Sequence, residues 1–151
     1  MIAVVERVKN ASLTADGVFT SEINNGLLIF VGVFDNDTEK EADVLAAKIA
    51  ALRIFEDENE KMNLSVSDVD GVILVVSQFT LYADCKKGKR PSFTNAMAPS
   101  LANEYYEKFV KLLEDMTGKE VKTGEFGADM KVELLNDGPV TIMLDSKEIL
   151  G

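Results

Sequence analysis

"NNGLLIFVGVF", residues 24–34, opens on a turn pair and then runs apolar on both faces. A strand with one wet face would alternate, so this run reads as a central strand of a sheet. The Asn25-Gly26 pair marks a turn just before it. Upstream, "ASLTADGVFTSEI" (11–23) reads as a hairpin around Asp16-Gly17, and "MIAVVERV" (1–8) has the length and β-branched content of a strand. The first third of the chain is therefore expected to be an antiparallel meander.

Beyond residue 36 the period changes. In "DTEKEADVLAAKIAALRIF" (37–55), Ala42, Leu45, Ile49 and Leu52 recur at helical spacing, and Thr38 with Glu41 fits a capping box. "GVILVVSQF" (71–79) returns to a buried strand. "SLANEYYEKFVKLLEDMTG" (100–118) is a second amphipathic helix, with Leu101, Tyr105, Phe109, Leu112 and Met116 expected inward and Gly118 as its stop. "EVKTGEF", "KVELLN" and "VTIMLD" read as closing strands. The expected class is α+β: one domain over residues 1–151, with a largely antiparallel, barrel-like sheet and two amphipathic helices packed on it.

Composition narrows the chemistry. The 151 residues contain no histidine and one cysteine, Cys85. Ser-His-Asp and Cys-His machinery, His-ligated metals and thiolate zinc clusters are thereby excluded. No metal or cofactor is expected. The net charge of −10 argues against broad nonspecific nucleic-acid binding, although a local basic patch can still bind. The opening residues carry no leader-like apolar run, and no stretch is long enough to span a bilayer, so the expected address is the cytoplasm, without membrane attachment.

Three places could carry chemistry. Ser77, Gln78 and Thr80 follow a purely apolar strand, where a rigid scaffold can aim polar groups. They also suit ordinary strand-end residues that bond nearby backbone. "KKGKR" (86–90) gathers Lys86, Lys87, Lys89 and Arg90 around Gly88 in an acidic chain. It reads as a phosphate contact close to Thr80 or as a solvated loop. Asp35, Asp37, Glu56, Asp57 and Glu58 have the donor type of a hard-cation site, but their spacing fits turn and cap residues better. "TGEFGADM" (123–130) suits a tight loop beside a pocket. Finally, "NDGPVTIMLD" (136–145) places Gly138-Pro139 at the start of a strand, where the pair could reverse the chain or hold out bare backbone for use.

"SQFTLYAD", "RPSF", "TGEFGADMKVELLNDGPVTIMLDS" and "MIAVVERVKNASLT" together resemble the D-aminoacyl-tRNA deacylase family, from the first strand to about residue 146. The resemblance implies a homodimeric editing hydrolase that frees D-amino acids, and glycine, from mischarged tRNA. It implies that Ser77, Gln78, Phe79, Thr80 and Leu81 line the pocket for the terminal adenosine and its ester. It further implies that Gly138-Pro139 is cis and enters the partner's site, where main-chain carbonyls exclude L side chains, and that Arg7 holds this motif. A noncatalytic module binding the tRNA acceptor end is the alternative, and a dimeric interaction module a further one. With no histidine, two routes stay open: Thr80 as nucleophile, or water assisted by the ribose hydroxyl, with backbone N–H groups near Phe79 and Thr80 stabilising the oxyanion.

Overall fold

The computed structural model describes residues 1–151. Strand β1 (Ile2–Ala15) is the longest early element, followed by β2 (Val18–Ile23), β3 (Gly26–Gly32) and helix α1 (Glu39–Ala51). The two-stranded ribbon β4 (Phe55–Glu56) and β5 (Met62–Leu64) precedes β6 (Val72–Ser77). Helix α2 (Pro99–Thr117), β7 (Lys122–Thr123), β8 (Met130–Asp145) and a short α3 (Ser146–Leu150) complete the chain. The architecture is α+β, as expected, with a six-stranded sheet curled toward a barrel.

Two details depart from the expectation. The sheet is mixed: β3 pairs with β6 and β6 with β7 in parallel, while β1 pairs antiparallel with β2, β3 and β8. The segments holding α1 and α2 carry the chain back to the same end of the sheet before the next strand begins, which is what a parallel pair requires. The opening is also no meander. β1 pairs with β8 along nearly its whole length, so its one remaining edge takes β2 at Ala11–Ala15 and β3 at Ile2–Val8. The expected turn at Asn25-Gly26 is thus no hairpin: Asn24 and Asn25 form a break between two collinear strands, and Gly26 already begins β3. Asp16-Gly17 is the two-residue turn expected, joining Ala15 to Val18.

Strand β3 is central, with Leu27, Leu28, Ile29 and Val31 all buried. On one face its side chains join a core of Ala42, Leu45 and Ile49 from α1 with Phe109 and Leu113 from α2. The capping box forms as read, Thr38 with Glu41, and its bonds to Thr38 hold the Glu41 carboxyl below the usual range. Gly118 ends α2 in the left-handed region. The inward face of α2 is rotated from the expected one. Ala102, Tyr106, Phe109, Val110 and Leu113 are buried, Tyr105 and Leu112 pack at the border, and Leu101 and Met116 are exposed. Two apolar stripes lie side by side on this helix, and periodicity alone does not rank them. "KVELLN" and "VTIMLD" belong to the single strand β8, while "EVKTGEF" is reduced to the two residues of β7.

Candidate active site

The apolar strand β6 ends at Ser77, and the chain enters a 3-10 turn over Phe79–Tyr82 through Gln78. Gln78 stays tied to the sheet, its N–H donating to Val31 O at 2.7 Å. The turn ends at Tyr82, whose ring packs against Phe34 at 5.1 Å between centroids. Burial, with Asp37 and Asp145 nearby, pushes its phenol well above the ordinary tyrosine range, so it stays neutral. The turn is thus tied at both ends, by Gln78 to the sheet and by Tyr82 to Phe34. Its first amides, those of Phe79 and Thr80, sit where such a turn supplies no internal acceptor.

A cavity of about 510 Å³ opens beside Ser77, Gln78 and Phe79. That size and its largely apolar wall suit a small-molecule group. Phe93, Met97 and Tyr106 also line it, as do Phe126, Ala128 and Met130. "TGEFGADM" is thus the pocket-side loop its small residues suggested. Phe93 meets Phe79 edge-on at 5.1 Å. Tyr106 reaches through the wall to donate to Val75 O at 2.9 Å, and burial raises its pKa so that the donor proton is retained. Tyr106→Phe is expected to cost about 1 kcal/mol, the net value of one such bond. In a chain of this size a calorimetric Tm should fall by about 2–4 °C.

The Thr80 hydroxyl is exposed and accepts a hydrogen bond from the Gln78 side-chain amide. It does not line the cavity, unlike Ser77, Gln78 and Phe79. Neither do Arg7, Gly138 and Pro139, which form a second group elsewhere on the same chain. There, Glu6 faces Thr141 and Val8 faces Asn136, so two steps along β1 match five along β8 and residues 137–140 loop out. The Gly138–Pro139 peptide is cis, and both residues are exposed. Arg7, only 4% exposed, lies under this loop. Its guanidinium donates to Asp137 O at 3.1 Å and to Ile54 O at 2.7 Å.

The basic loop is closed by a pair of backbone bonds between Asp84 and Ser92. Gly88 takes φ +69°, and a Cβ there would touch nothing. The glycine thus serves the turn itself. Lys86, Lys87, Lys89 and Arg90 are exposed and form no salt bridge, and Cys85 is exposed beside them. Two of the candidate acidic residues are engaged in structural bonds. Asp37 is buried, pairs with the Met1 amine at 2.8 Å and accepts from Phe34 N–H. Asp57 accepts from the N–H groups of Asn59 and Lys61, which lowers its pKa.

Residues 4–145 match the family model described as D-Tyr-tRNA(Tyr) deacylase. A D-aminoacyl-tRNA deacylase of Flavobacterium johnsoniae is 56% identical over 147 residues, covering 97% of this chain and 98% of the relative. One of Clostridioides difficile is 55% identical over 148 residues, covering 98% and 99%. Among solved structures, the c-Myc DNA unwinding element binding protein superposes with a TM-score of 0.89 at 42% identity, covering 96% of this chain and 98% of that one. A probable eukaryotic D-amino acid tRNA deacylase shares the fold, with a TM-score of 0.82 at 15% identity over 95% and 97% of the two chains. Matched over nearly its whole length, the chain belongs to the D-Tyr-tRNA(Tyr) deacylase family.

Proposed function

We propose that this deacylase cleaves the ester of D-aminoacyl-tRNA, and of glycyl-tRNA, and acts as a homodimer whose two site elements come from different subunits. The observation that carries the reading is a separation. Ser77, Gln78 and Phe79 edge a cavity, while Gly138-Pro139 stands in solvent on another part of the same chain. In a dimer the exposed Gly138-Pro139 of one subunit would meet the open mouth of the other. Exposed apolar groups near each element support such a contact: Phe79 is 58% exposed, Leu135 55% and Met143 71%.

In this reading the cavity takes the terminal adenosine, and Phe79 and Phe93 offer aromatic faces to its base. The ester then lies by the amides of Phe79 and Thr80, which stabilise the oxyanion. The vicinal ribose hydroxyl orients or activates water. Carbonyls of the partner's Gly138-Pro139 stand at the substrate Cα. A D side chain points away from them, glycine has none, and an L side chain collides, so selectivity comes from exclusion. Purified protein should therefore release amino acid from D-aminoacyl- and glycyl-tRNA and spare the L form. Tight binding without turnover would support a noncatalytic acceptor-end module instead.

Lys86, Lys87, Lys89 and Arg90 are assigned to phosphates near the acceptor end. Replacing two of them should reduce the slope of log K against log salt by about one unit per lost contact. An unchanged slope in a filter-binding titration would return the loop to solvent.

A further inference from the structure

We infer that Asn136 is a positioning residue for the Gly138-Pro139 loop, clasping its base so that the loop's carbonyls are held in one place. The loop-out of residues 137–140 removes Val140 N–H from its place in the ladder with β1. Asn136 Oδ1 accepts that N–H at 3.0 Å, closing a ring across the four-residue excursion. The other end of the same amide donates to Thr141 Oγ1 at 2.9 Å, and Thr141 in turn donates to Glu6 Oε1 at 3.4 Å. One side chain thus bonds both residues that follow Pro139 and links them to β1.

The two ends of the loop are secured differently. Arg7 supports its start, through Asp137 O, and reaches across to Ile54 O. Asn136 secures its return. Val140 itself is buried, so without Asn136 its N–H would be left unpaired in a partly closed setting. The loop would then gain by rearranging to satisfy it, and the exposed Gly138-Pro139 carbonyls would move. Pro139 has no N–H to give, so Val140 N–H is the first main-chain donor after the cis peptide, and Asn136 is its partner.

This inference rests on the proposed role of the loop in rejecting L esters. Asn136→Ala is expected to raise the ratio of L- to D-aminoacyl-tRNA hydrolysis by about tenfold, the factor carried by one hydrogen bond to a buried group. Asn136→Asp keeps an acceptor in reach of Val140 N–H and should restore most of the selectivity above the carboxylate pKa. Amide hydrogen exchange supplies a second reading: Val140 should lose protection in Asn136→Ala and keep it in Asn136→Asp. Gly138→Ala serves as the reference for the loop's role. If Gly138→Ala raises the ratio and Asn136→Ala does not, the clasp is wrong and the chiral role of the loop stands. If neither variant moves the ratio, both fall. A ratio raised equally in Asn136→Ala and Asn136→Asp, with Val140 protected in the latter, would also overturn the clasp.

Discussion

Gly138→Ala is expected to raise hydrolysis of L- relative to D-aminoacyl-tRNA by roughly 10- to 200-fold, the range over which a pocket discriminates by a methyl-sized collision. Gly138 has φ +129°, a region that residues with a side chain rarely adopt. A Cβ added there would lie 2.7 Å from Val140 Cγ2 and 3.1 Å from Arg7 Nη2. Val140 is buried and Arg7 is bonded to two carbonyls, so neither can move freely. The loop itself must shift, at a cost of about 1–3 kcal/mol for such a backbone. Its carbonyls then leave the position from which, in the proposed reading, they exclude an L side chain. The ratio of the two turnovers is the quantity to measure, because general damage lowers both and leaves it unchanged. Equal losses of D and L activity would assign Gly138 to folding alone.

A tRNA ending in 2′-deoxyadenosine, charged on the 3′ oxygen with a D-amino acid, should be hydrolysed about 10²–10⁴-fold more slowly than the ribose substrate, the usual worth of a positioned acid-base group. Thr80→Ala should stay within about tenfold of the parent on the ribose substrate, since one neutral hydrogen bond is worth about 1 kcal/mol. The reason is local. The Thr80 hydroxyl accepts a bond from the Gln78 amide, and an amide N–H cannot take the proton a nucleophilic hydroxyl must lose. The chain has no histidine to do so. Single-turnover rates on the two substrates and the two proteins separate the routes. A dead Thr80→Ala together with a normal deoxy substrate would make Thr80 the nucleophile.

The elements were legible wherever one physical signal dominated. The apolar run of β3, the Asp16-Gly17 turn and the Thr38–Glu41 box are each local, and each stands as read. What depends on long-range closure was not. Nothing in residues 11–34 tells that β2 and β3 share one edge of β1, because that follows from β8 taking the other edge from over a hundred residues away. The parallel pairing of β6 depends likewise on where α1 and α2 deliver the chain. On α2, Leu101 and Met116 continue a helical stripe as well as the buried residues do, and packing against α1, with the Tyr106 bond to Val75 of β6, chose between them. At the site, "SQF" at the end of an apolar strand and Phe93 in "RPSF" lie in visible motifs, whereas Met97 and Tyr106 reach the cavity from later segments with no motif of their own. Nothing local marks Asn136, and only the partners of its amide distinguish it.

In the proposed dimer the two halves of each site lie on different subunits, and a mixed dimer tests that placement. Subunits carrying Gln78→Ala and Gly138→Ala, each with its own affinity tag, are combined and the heterodimer is isolated through both tags. One of its sites then pairs an intact Gln78 with an intact Gly138-Pro139 from the other chain, and the second site lacks both. The L-to-D turnover ratio of this heterodimer should return to that of the unmodified protein, at about half its D activity per dimer. A heterodimer that keeps the raised ratio of Gly138→Ala would show that each loop acts on its own subunit's cavity and contradict the account.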